Sequence, residues 1–215
     1  MRNILLVFAL LCLPLSLLAQ QAHRYLELGM GGNAYRGDLG ESYSSWRSHV
    51  HAGLQFRGGS RVNGSINLAI GSLLGESLNY RYTANPAAQP NSFFTSKWFG
   101  LHGELQYNVL RKPNYLIYLS QGFGVFRYNP KDDQGQEFLA QVGTRAEDEL
   151  YNTTTVILPT GLGASYFLPN DMGIDLHSRF YNTQSDYLDN IGAWGNRKGN
   201  DKVWALTLSL LIPVS

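Results

Sequence analysis

The sequence predicts an all-β fold, an eight-stranded antiparallel up-and-down transmembrane β-barrel with a filled polar interior. Three observations lead to this prediction: segments that alternate apolar with polar residues, connections that are alternately long and short, and an apolar N-terminal stretch. Outer-membrane barrels have apolar side chains toward lipid and polar ones toward the lumen, with short periplasmic turns and long outer loops. A chain of 215 residues suits a single domain of this kind.

Composition excludes several classes of function. Charged residues make up 15% of the chain, and its formal net charge is +1 without a cluster of Lys and Arg, so we expect no nucleic-acid partner. Cys12 is the sole cysteine and lies in the N-terminal apolar run, so the mature chain has no thiol to form a disulfide or bind a metal. We expect no cofactor and no metal site.

The N-terminus has the features of a secretory signal peptide. Arg2 is positively charged, the segment from Ile4 to Leu18 is largely apolar, and Ala19 is a small residue before a polar pair. The run is shorter than the ~20 residues that a membrane-spanning helix needs. We therefore assign residues 1–19 to a signal peptide and residues 20–215 to the barrel, whose first strand is expected almost directly after the signal.

Alternation of apolar and polar residues marks each strand. From Phe99 to Val109, for example, apolar residues and a row containing His102 and Glu104 fall on opposite parities and so on opposite faces of a strand. The predicted strands are Tyr25–Asn33, Ser48–Arg57, Val62–Leu73, Lys97–Val109, Tyr115–Tyr128, Thr154–Phe167, Met172–Tyr181 and Val203–Ile212.

The connections assign the two ends of the barrel to the two sides of the membrane. Residues 58–61, 110–114 and 168–171 form short connections rich in Gly, Pro, Asn and Asp, which favour turns. Residues 34–47, 74–96, 129–153 and 182–202 form long ones. With the N-terminus in the periplasm, every long loop faces the outside of the cell.

The polar parity supplies both acids and bases to the lumen. A barrel of about eight strands has room inside only for side chains, so these groups should pair with one another and fill the interior rather than line a channel. The predicted interior network consists of Glu27, Arg57, His102, Glu104, Asp175, His177 and Arg179.

Aromatic residues near the strand ends predict two girdles at the membrane interfaces. The inner girdle comprises Phe56, Tyr107, Tyr115 and Tyr166, and the outer girdle comprises Trp98, Phe99, Tyr128, Phe180 and Trp204. The same alternation would also suit a soluble lipocalin-like barrel with its apolar face inward around an apolar ligand. The sequence leaves that alternative open.

The histidines invite an enzymatic interpretation, which we do not favour. His177 and Ser178 are neighbours in a strand and point to opposite faces, so they cannot form a catalytic pair. We also expect no metal cluster of His49, His51 and His102. An outer-membrane enzyme acting on lipid A or peptide stays an alternative, which His, Ser and acidic residues paired on adjacent strands at the rim would support.

The outer loops contain the most distinctive sequence strings. They are 35–39 (YRGDL), 122–131 (GFGVFRYNPK), 139–144 (LAQVGT) and 186–189 (DYLD). The candidate residues for contacts to a partner or for a cap over the barrel mouth are Tyr35, Gly37, Asp38, Arg127, Asn129, Pro130, Asp186, Tyr187 and Asp189. In such a cap we expect Arg127 or Arg36 to pair with Asp38, Asp186 or Asp189. The acidic loops could alternatively bind Ca²⁺ together with lipopolysaccharide phosphates.

Together, and in this order, these strings resemble the PorG-type family of small outer-membrane barrels of Bacteroidota. The resemblance implies a non-enzymatic anchor or assembly component, in a complex for type IX secretion, protein transport and gliding. It also implies a location in the outer membrane of a Gram-negative bacterium. The implied partners are outer-membrane lipid, lipopolysaccharide and other envelope proteins.

Overall fold

Eight antiparallel strands form a closed barrel, as predicted. The computed structural model describes residues 23–40, 42–58, 61–77, 91–146, 149–195 and 199–214; the predicted signal peptide lies outside them. The strands are β1 (His23–Arg36), β2 (Trp46–Arg57), β3 (Val62–Glu76), β4 (Phe93–Arg111), β5 (Tyr115–Lys131), β6 (Thr154–Phe167), β7 (Gly173–Thr183) and β8 (Lys202–Val214). Each pairs with the next along the chain, and β1 pairs with β8. The prediction of fold class is confirmed.

Most strands extend further toward the long loops than the sequence pattern predicts. β3 and β4 stay paired as far as Glu76 and Phe93, inside a segment predicted to be loop. β4 also has a register shift between Asn108 and Leu110, close to its short turn. The β6–β7 turn places Asp171 at φ 63°, in the left-handed region that Asp tolerates better than most residues.

Burial distinguishes the two faces of the sheet. Met30, Leu105 and Phe123 on the outward face are 69%, 54% and 64% exposed, whereas Glu27 and Arg179 on the inward face are 1% exposed. Apolar residues therefore face the surroundings and polar residues the lumen. This orientation rules out the lipocalin-like alternative, which requires an apolar lumen.

The outer aromatic girdle differs from its prediction. Phe99 and Phe180 face outward, but Trp98 and Tyr128 are 2% and 1% exposed and lie in the lumen. Both share the parity of inward neighbours, so nearness to a strand end was a poorer guide than alternation. Trp46, which the prediction omitted, is 44% exposed on the outer surface.

In the described part of the chain, no helix has the length and apolar character to cross a membrane. Two single-turn 3₁₀ helices, Phe138–Ala140 and Val142–Thr144, lie in the β5–β6 loop. Below, the end of the barrel with the short turns is called the inner mouth, and the end with the long loops the outer mouth.

Candidate functional site in the lumen and at the two mouths

Hydrogen bonds connect the charged side chains in the inner half of the lumen. Arg57 donates from Nε and Nη2 to Gln55 Oε1 at 3.0 and 2.9 Å, and Gln55 Nε2 donates to Glu27 Oε2 at 2.5 Å. Arg57 Nη2 also donates to Ser165 Oγ at 2.9 Å, and the Ser165 hydroxyl donates to Asp175. One guanidinium thus links the carboxylates of β1 and β7 through two neutral side chains.

Tyr118 completes this inner group. Its hydroxyl donates to Asp175 Oδ2 at 2.9 Å and lies 3.1 Å from Oδ1. A Cβ atom on Gly163 would lie 2.2 Å from Tyr118 Cζ. Because Gly163 has no side chain, the tyrosine ring fits beside it in the lumen.

A second charged group occupies the middle of the lumen. Arg179 donates from Nε to Glu104 Oε1 at 2.6 Å and from Nη2 to Glu104 Oε2 at 3.3 Å. His102 Nε2 lies 3.2 Å from the same Glu104 Oε1. Both partners of the Arg179–Glu104 pair are nearly inaccessible to solvent, so each charge depends on the other for compensation.

The seven predicted network residues therefore fall into two groups. Glu27, Arg57 and Asp175 belong to the inner group, and the four others, His102, Glu104, His177 and Arg179, belong to the middle group. The predicted network did not include the neutral residues that join the charged ones, which are Gln55, Tyr118, Ser120 and Ser165. Their inward parity was visible, but parity does not indicate which side chains meet across the lumen.

One pair in the middle group has the composition of a catalytic dyad. Ser120 Oγ on β5 lies 3.0 Å from His177 Nε2 on β7. Gly161 on the intervening β6 makes the approach feasible, since its Cβ would lie 2.5 Å from the imidazole and 2.7 Å from the hydroxyl oxygen. Ser178 has a different partner, because its hydroxyl accepts a hydrogen bond from Trp204 Nε1 at 2.9 Å.

The polarity of the Ser120–His177 hydrogen bond is opposite to that of a catalytic dyad. Arg179 Nη2 lies 2.8 Å from His177 Nδ1. Since a guanidinium can only donate, Nδ1 of the neutral imidazole accepts and Nε2 carries the proton. Nε2 therefore donates to Ser120 Oγ, and the imidazole has no free lone pair with which to take the serine proton.

Apolar side chains close the lumen on the outer side of the charged groups. We call this cluster the outer plug; it contains Tyr35, Leu39, Ala69, Leu73, Phe94, Trp98, Phe126, Tyr128, Phe138, Ile157, Tyr181, Leu188, Ile191, Val203 and Ala205. Leu39, Phe138, Leu188 and Ile191 come from the long loops. The loops therefore fold inward and place apolar residues in the barrel mouth.

Carboxylates are buried beside the outer plug. The Tyr35 hydroxyl lies 2.5 Å from Asp189 Oδ2 and 3.1 Å from Asp201 Oδ1. The backbone NH of Leu39 donates to Asp189 at 3.2 Å, and that of Leu188 donates to Asp201 at 2.9 Å. A Cβ on Gly37 would lie 1.8 Å from the Tyr35 hydroxyl, which explains a glycine in the YRGDL string.

Burial changes the acidity of these loop carboxylates. Burial, with a smaller contribution from the nearby carboxylate of Asp38, raises the pKa of Asp189 to about 7 and that of Asp186 to about 7. Burial and the proximity of Asp189 and Asp186 raise the pKa of Asp201 well above its ordinary value. The protonated forms of these acids are therefore favoured in the folded cap, by which we mean the long loops that fold into the outer mouth.

The expected pairing of the cap arginines with Asp186 or Asp189 is wrong. None of the ion pairs in the described part of the chain joins Arg36 or Arg127 to Asp186 or Asp189. Arg127 faces outward, and the Arg36 guanidinium lies 5.9 Å from the Tyr43 ring centroid. Both arginines lie on the lipid-facing parity, whereas Asp189 is turned into the cap.

Arg145 is the loop cation that the sequence analysis missed. It donates to Phe138 O at 2.8 Å and to Asn190 Oδ1 at 3.1 Å. Its guanidinium lies 3.9 Å above the Tyr151 ring, and Tyr151 in turn contacts Tyr187 with a centroid distance of 5.4 Å. Arg145 therefore ties the β5–β6 loop to the β7–β8 loop, and Tyr187 belongs to this cap.

The remaining loop candidates lie at the edge of the sheet. Asn129 donates from Nδ2 to Glu137 Oε1 at 2.8 Å, and its backbone NH donates to Ser96 Oγ at 3.1 Å. Pro130 is paired in register with Ser96. These residues extend the β4–β5 hairpin rather than join the carboxylates of the cap.

The inner mouth contains a cavity of about 530 Å³. Its lining includes the cations Arg57, Arg111 and Lys112, together with His23, against one carboxylate, Asp171, among the described lining residues. The Arg57 guanidinium lies 4.4 Å from the Phe167 ring centroid. Its Nη1 has no hydrogen-bond partner in the described part of the chain. This mouth is therefore basic.

Within the described residues, no group of three or more His, Cys, Asp or Glu side chains has an arrangement that could hold a metal ion. The predicted histidines have other contacts: His49 Nε2 lies 2.9 Å from Thr207 Oγ1, and His51 Nδ1 lies 3.3 Å from Glu27 Oε1.

Known structures with the same architecture are distant in sequence. Neisserial surface protein A, from Neisseria, is similar with a TM-score of 0.57 and 13% identity, over 89% of this chain and 97% of that chain. Ail, the attachment invasion locus protein of Yersinia pestis, was crystallised with the heparin analogue sucrose octasulfate. It has a TM-score of 0.54 and 10% identity, over 91% of this chain and 100% of that chain. At such identities the likeness shows a common fold alone.

No curated protein sequence matches the chain. The family model described as "Outer membrane protein beta-barrel domain" matches residues 4–210. The closed barrel and its outward apolar face agree with this match. The chain is an outer-membrane protein that belongs to the outer membrane protein β-barrel domain family.

Proposed function

We propose that the protein is a non-enzymatic anchor or assembly component that holds another envelope protein at its inner mouth. The observation that carries this proposal is the basic cavity formed by Arg57, Arg111 and Lys112. In an outer-membrane barrel the short turns face the periplasm, so this cavity is open to periplasmic partners. Its charge suits an acidic segment of a partner chain.

The lumen supports a non-enzymatic role. The Arg179–Glu104 pair is enclosed, and the Ser120–His177 hydrogen bond has the wrong polarity to activate a nucleophile. The outer plug separates the charged groups from the outer surface. These features favour action through the surfaces at the mouths over passage or reaction inside the barrel.

The specific assembly that we propose for this protein is the machinery for type IX secretion and gliding. It is supported by the loop strings that resemble the PorG-type family. Much of that resemblance serves the cap, because Tyr35 contacts both Asp189 and Gly37 there. The partner itself would be held at the opposite end, by the inner mouth.

A charge reversal tests the anchoring role. The tagged protein is purified from its native host in mild detergent after cross-linking, and the co-purifying chains are identified. We expect Lys112→Glu in the cavity to lose a periplasmic partner that the wild type retains. Arg61→Glu is the matched control, because Arg61 is also a cation near the inner turns but donates to Tyr107 and does not line the cavity.

Two outcomes would count against the proposal at different levels. If Lys112→Glu and an Arg111→Glu/Lys112→Glu double variant both retain the same partner, the inner mouth is not the docking surface. If deletion of the protein leaves secretion of type IX cargo and gliding unchanged, the assignment to that machinery is rejected, while anchoring of another partner is still tested by the purification.

A further inference from the structure

Two cations lie directly opposite each other on the lipid-facing side of the outer rim. Arg36 ends β1 and Lys202 begins β8, and the two are paired in register. Both side chains are exposed, and neither belongs to an ion pair in the described part of the chain. Like charges in this arrangement repel and destabilise the strand pair. An anion bound between the two cations would attract both of them and so replace repulsion with attraction.

Aromatic residues indicate the depth of this pair in the membrane. Trp204 follows Lys202 by two residues on the same face, a distance of roughly 7 Å along a strand. Its ring centroid is 5.0 Å from that of Trp46, and the two rings flank Ala34, which they bury completely. Tryptophans of this kind lie at the level of lipid headgroups. Arg36 and Lys202 therefore lie within roughly 7 Å of that level, where their long side chains can reach lipid phosphates.

The aromatic cluster holds its geometry through several contacts. Trp204 stacks on Phe180 with a centroid distance of 5.7 Å and an interplanar angle of 7°, while its Nε1 donates to Ser178. The Tyr43 ring lies 6.0 Å from Trp204 and beneath the Arg36 guanidinium. Arg36 is thus fixed beside a rigid apolar surface, which suits a ligand with both a charged head and acyl chains.

A cavity of about 610 Å³ adjoins the two cations. Its lining consists of Arg36, Asn182, Thr183, Gln184, Gly199, Asn200 and Lys202, and these described residues include no carboxylate. The amides of Gln184 and Asn200 can donate to phosphate oxygens and exchange hydrogen bonds with sugar hydroxyls, whereas the Thr183 hydroxyl is engaged with the backbone oxygens of Ser185 and Asp201. The cavity therefore has the chemistry to accept a phosphorylated sugar.

We infer that Arg36 and Lys202 form a binding site for the phosphate of a phosphorylated glycolipid of the outer leaflet. The guanidinium can bind two phosphate oxygens at once, and the ammonium adds a second, more mobile charge. The sugar occupies the amide-lined cavity, and the acyl chains lie along Trp46 and Trp204. This inference depends on the outer-membrane location and not on the anchoring role at the inner mouth.

The test compares lipid retention by matched variants. Purified, folded protein in detergent is titrated with lipid A and with the same lipid A after enzymatic dephosphorylation, and retention is followed by native mass spectrometry and by tryptophan emission. The double variant Arg36→Gln/Lys202→Gln is expected to bind phosphorylated lipid A about thirtyfold more weakly, as two surface cations imply. Its affinity for dephosphorylated lipid A should be unchanged.

The double variant Lys97→Gln/Arg127→Gln is the control, because it removes two outward cations from the outer ends of β4 and β5. Heat-modifiable gel migration verifies that every variant is folded. An equal loss of affinity for phosphorylated lipid A in both double variants would show general charge attraction and would overturn the proposed site. Equal wild-type affinity for the two lipids would overturn the phosphate contact. Inorganic phosphate that binds as tightly as lipid A would overturn the assignment to a lipid.

Discussion

The two mouths of this barrel differ in how far the connecting segments close them. At the outer mouth, long loops return into the lumen, supply Leu39, Leu188 and Ile191 to the outer plug, and bury Asp189 and Asp201 beside it. At the inner mouth, short turns leave a basic cavity open. The longest connections of the chain therefore close the molecule, whereas the shortest ones leave it accessible.

The largest effect is expected from the charged group beneath the outer plug. Replacement Arg179→Ala leaves Glu104 as a buried, uncompensated charge and should lower the free energy of unfolding by about 3–5 kcal/mol. Urea unfolding in lipid vesicles measures it. The double variant Arg179→Ala/Glu104→Gln should recover most of the loss, and a double variant as unstable as the single one would refute the pairing as the cause.

The outer plug itself is the next test. Phe94 is completely buried and contacts Tyr35 with a centroid distance of 4.9 Å, so Phe94→Ala should cost about 3 kcal/mol through lost burial and a cavity. The same urea unfolding detects it. Phe99→Ala is the control, because Phe99 faces lipid on the same strand; an equal cost at both positions would mean that the plug is not a packed core.

The inner mouth should tolerate loss of an arginine better than the middle of the lumen does. Arg57→Ala removes hydrogen bonds to Gln55 and Ser165 next to the open cavity. Because water from the periplasm can replace the guanidinium, we expect a loss of about 1–2 kcal/mol. If Arg57→Ala proves as costly as Arg179→Ala, the two ends do not differ in access to water.

The outer cap should also respond to pH. Because the pKa of Asp189 is raised to about 7, the folded cap binds more protons than the unfolded chain between about pH 4 and pH 7. This stabilisation is complete below that window and is lost as the pH rises through about 7. Proteolysis of the β7–β8 loop should therefore be slower at pH 5 than at pH 8, by about tenfold.

Replacement Asp189→Asn removes the proton uptake while it preserves the shape of the side chain. Cleavage of the variant should depend less on pH than cleavage of the wild type, after correction for the activity of the protease. A wild-type cap that is cleaved equally fast at both pH values would show that the buried carboxylates do not control its opening.

The barrel could be predicted from the sequence because the pattern that specifies each strand is local. Alternation in a strand is visible over a few residues, and the inward positions of Glu27 and Arg179 follow from it directly. The cap could not be predicted in the same way. Tyr35 and Asp189 meet across a separation of 154 residues, and no local pattern distinguishes Asp189 from an ordinary solvated loop acid.

Trp98 and Tyr128 illustrate a second limit of sequence patterns. Each lies near a strand end, where an interfacial aromatic is expected, yet each also lies on the inward parity. Trp98 stacks on Phe126 with a centroid distance of 4.9 Å inside the lumen. Parity fixes the direction of a side chain through backbone geometry, whereas proximity to an interface expresses only a statistical preference.

The pairing of the first strand with the last has a consequence for how this protein is made. The seam runs from Arg24 opposite Val214 to Arg36 opposite Lys202, so β1 keeps an unpaired edge until the far end of the chain arrives. Contacts between such distant segments form slowly, and open strand edges invite wrong pairings between molecules. We therefore expect seam closure to be the slow step of biogenesis, with the chain most vulnerable to aggregation just before it.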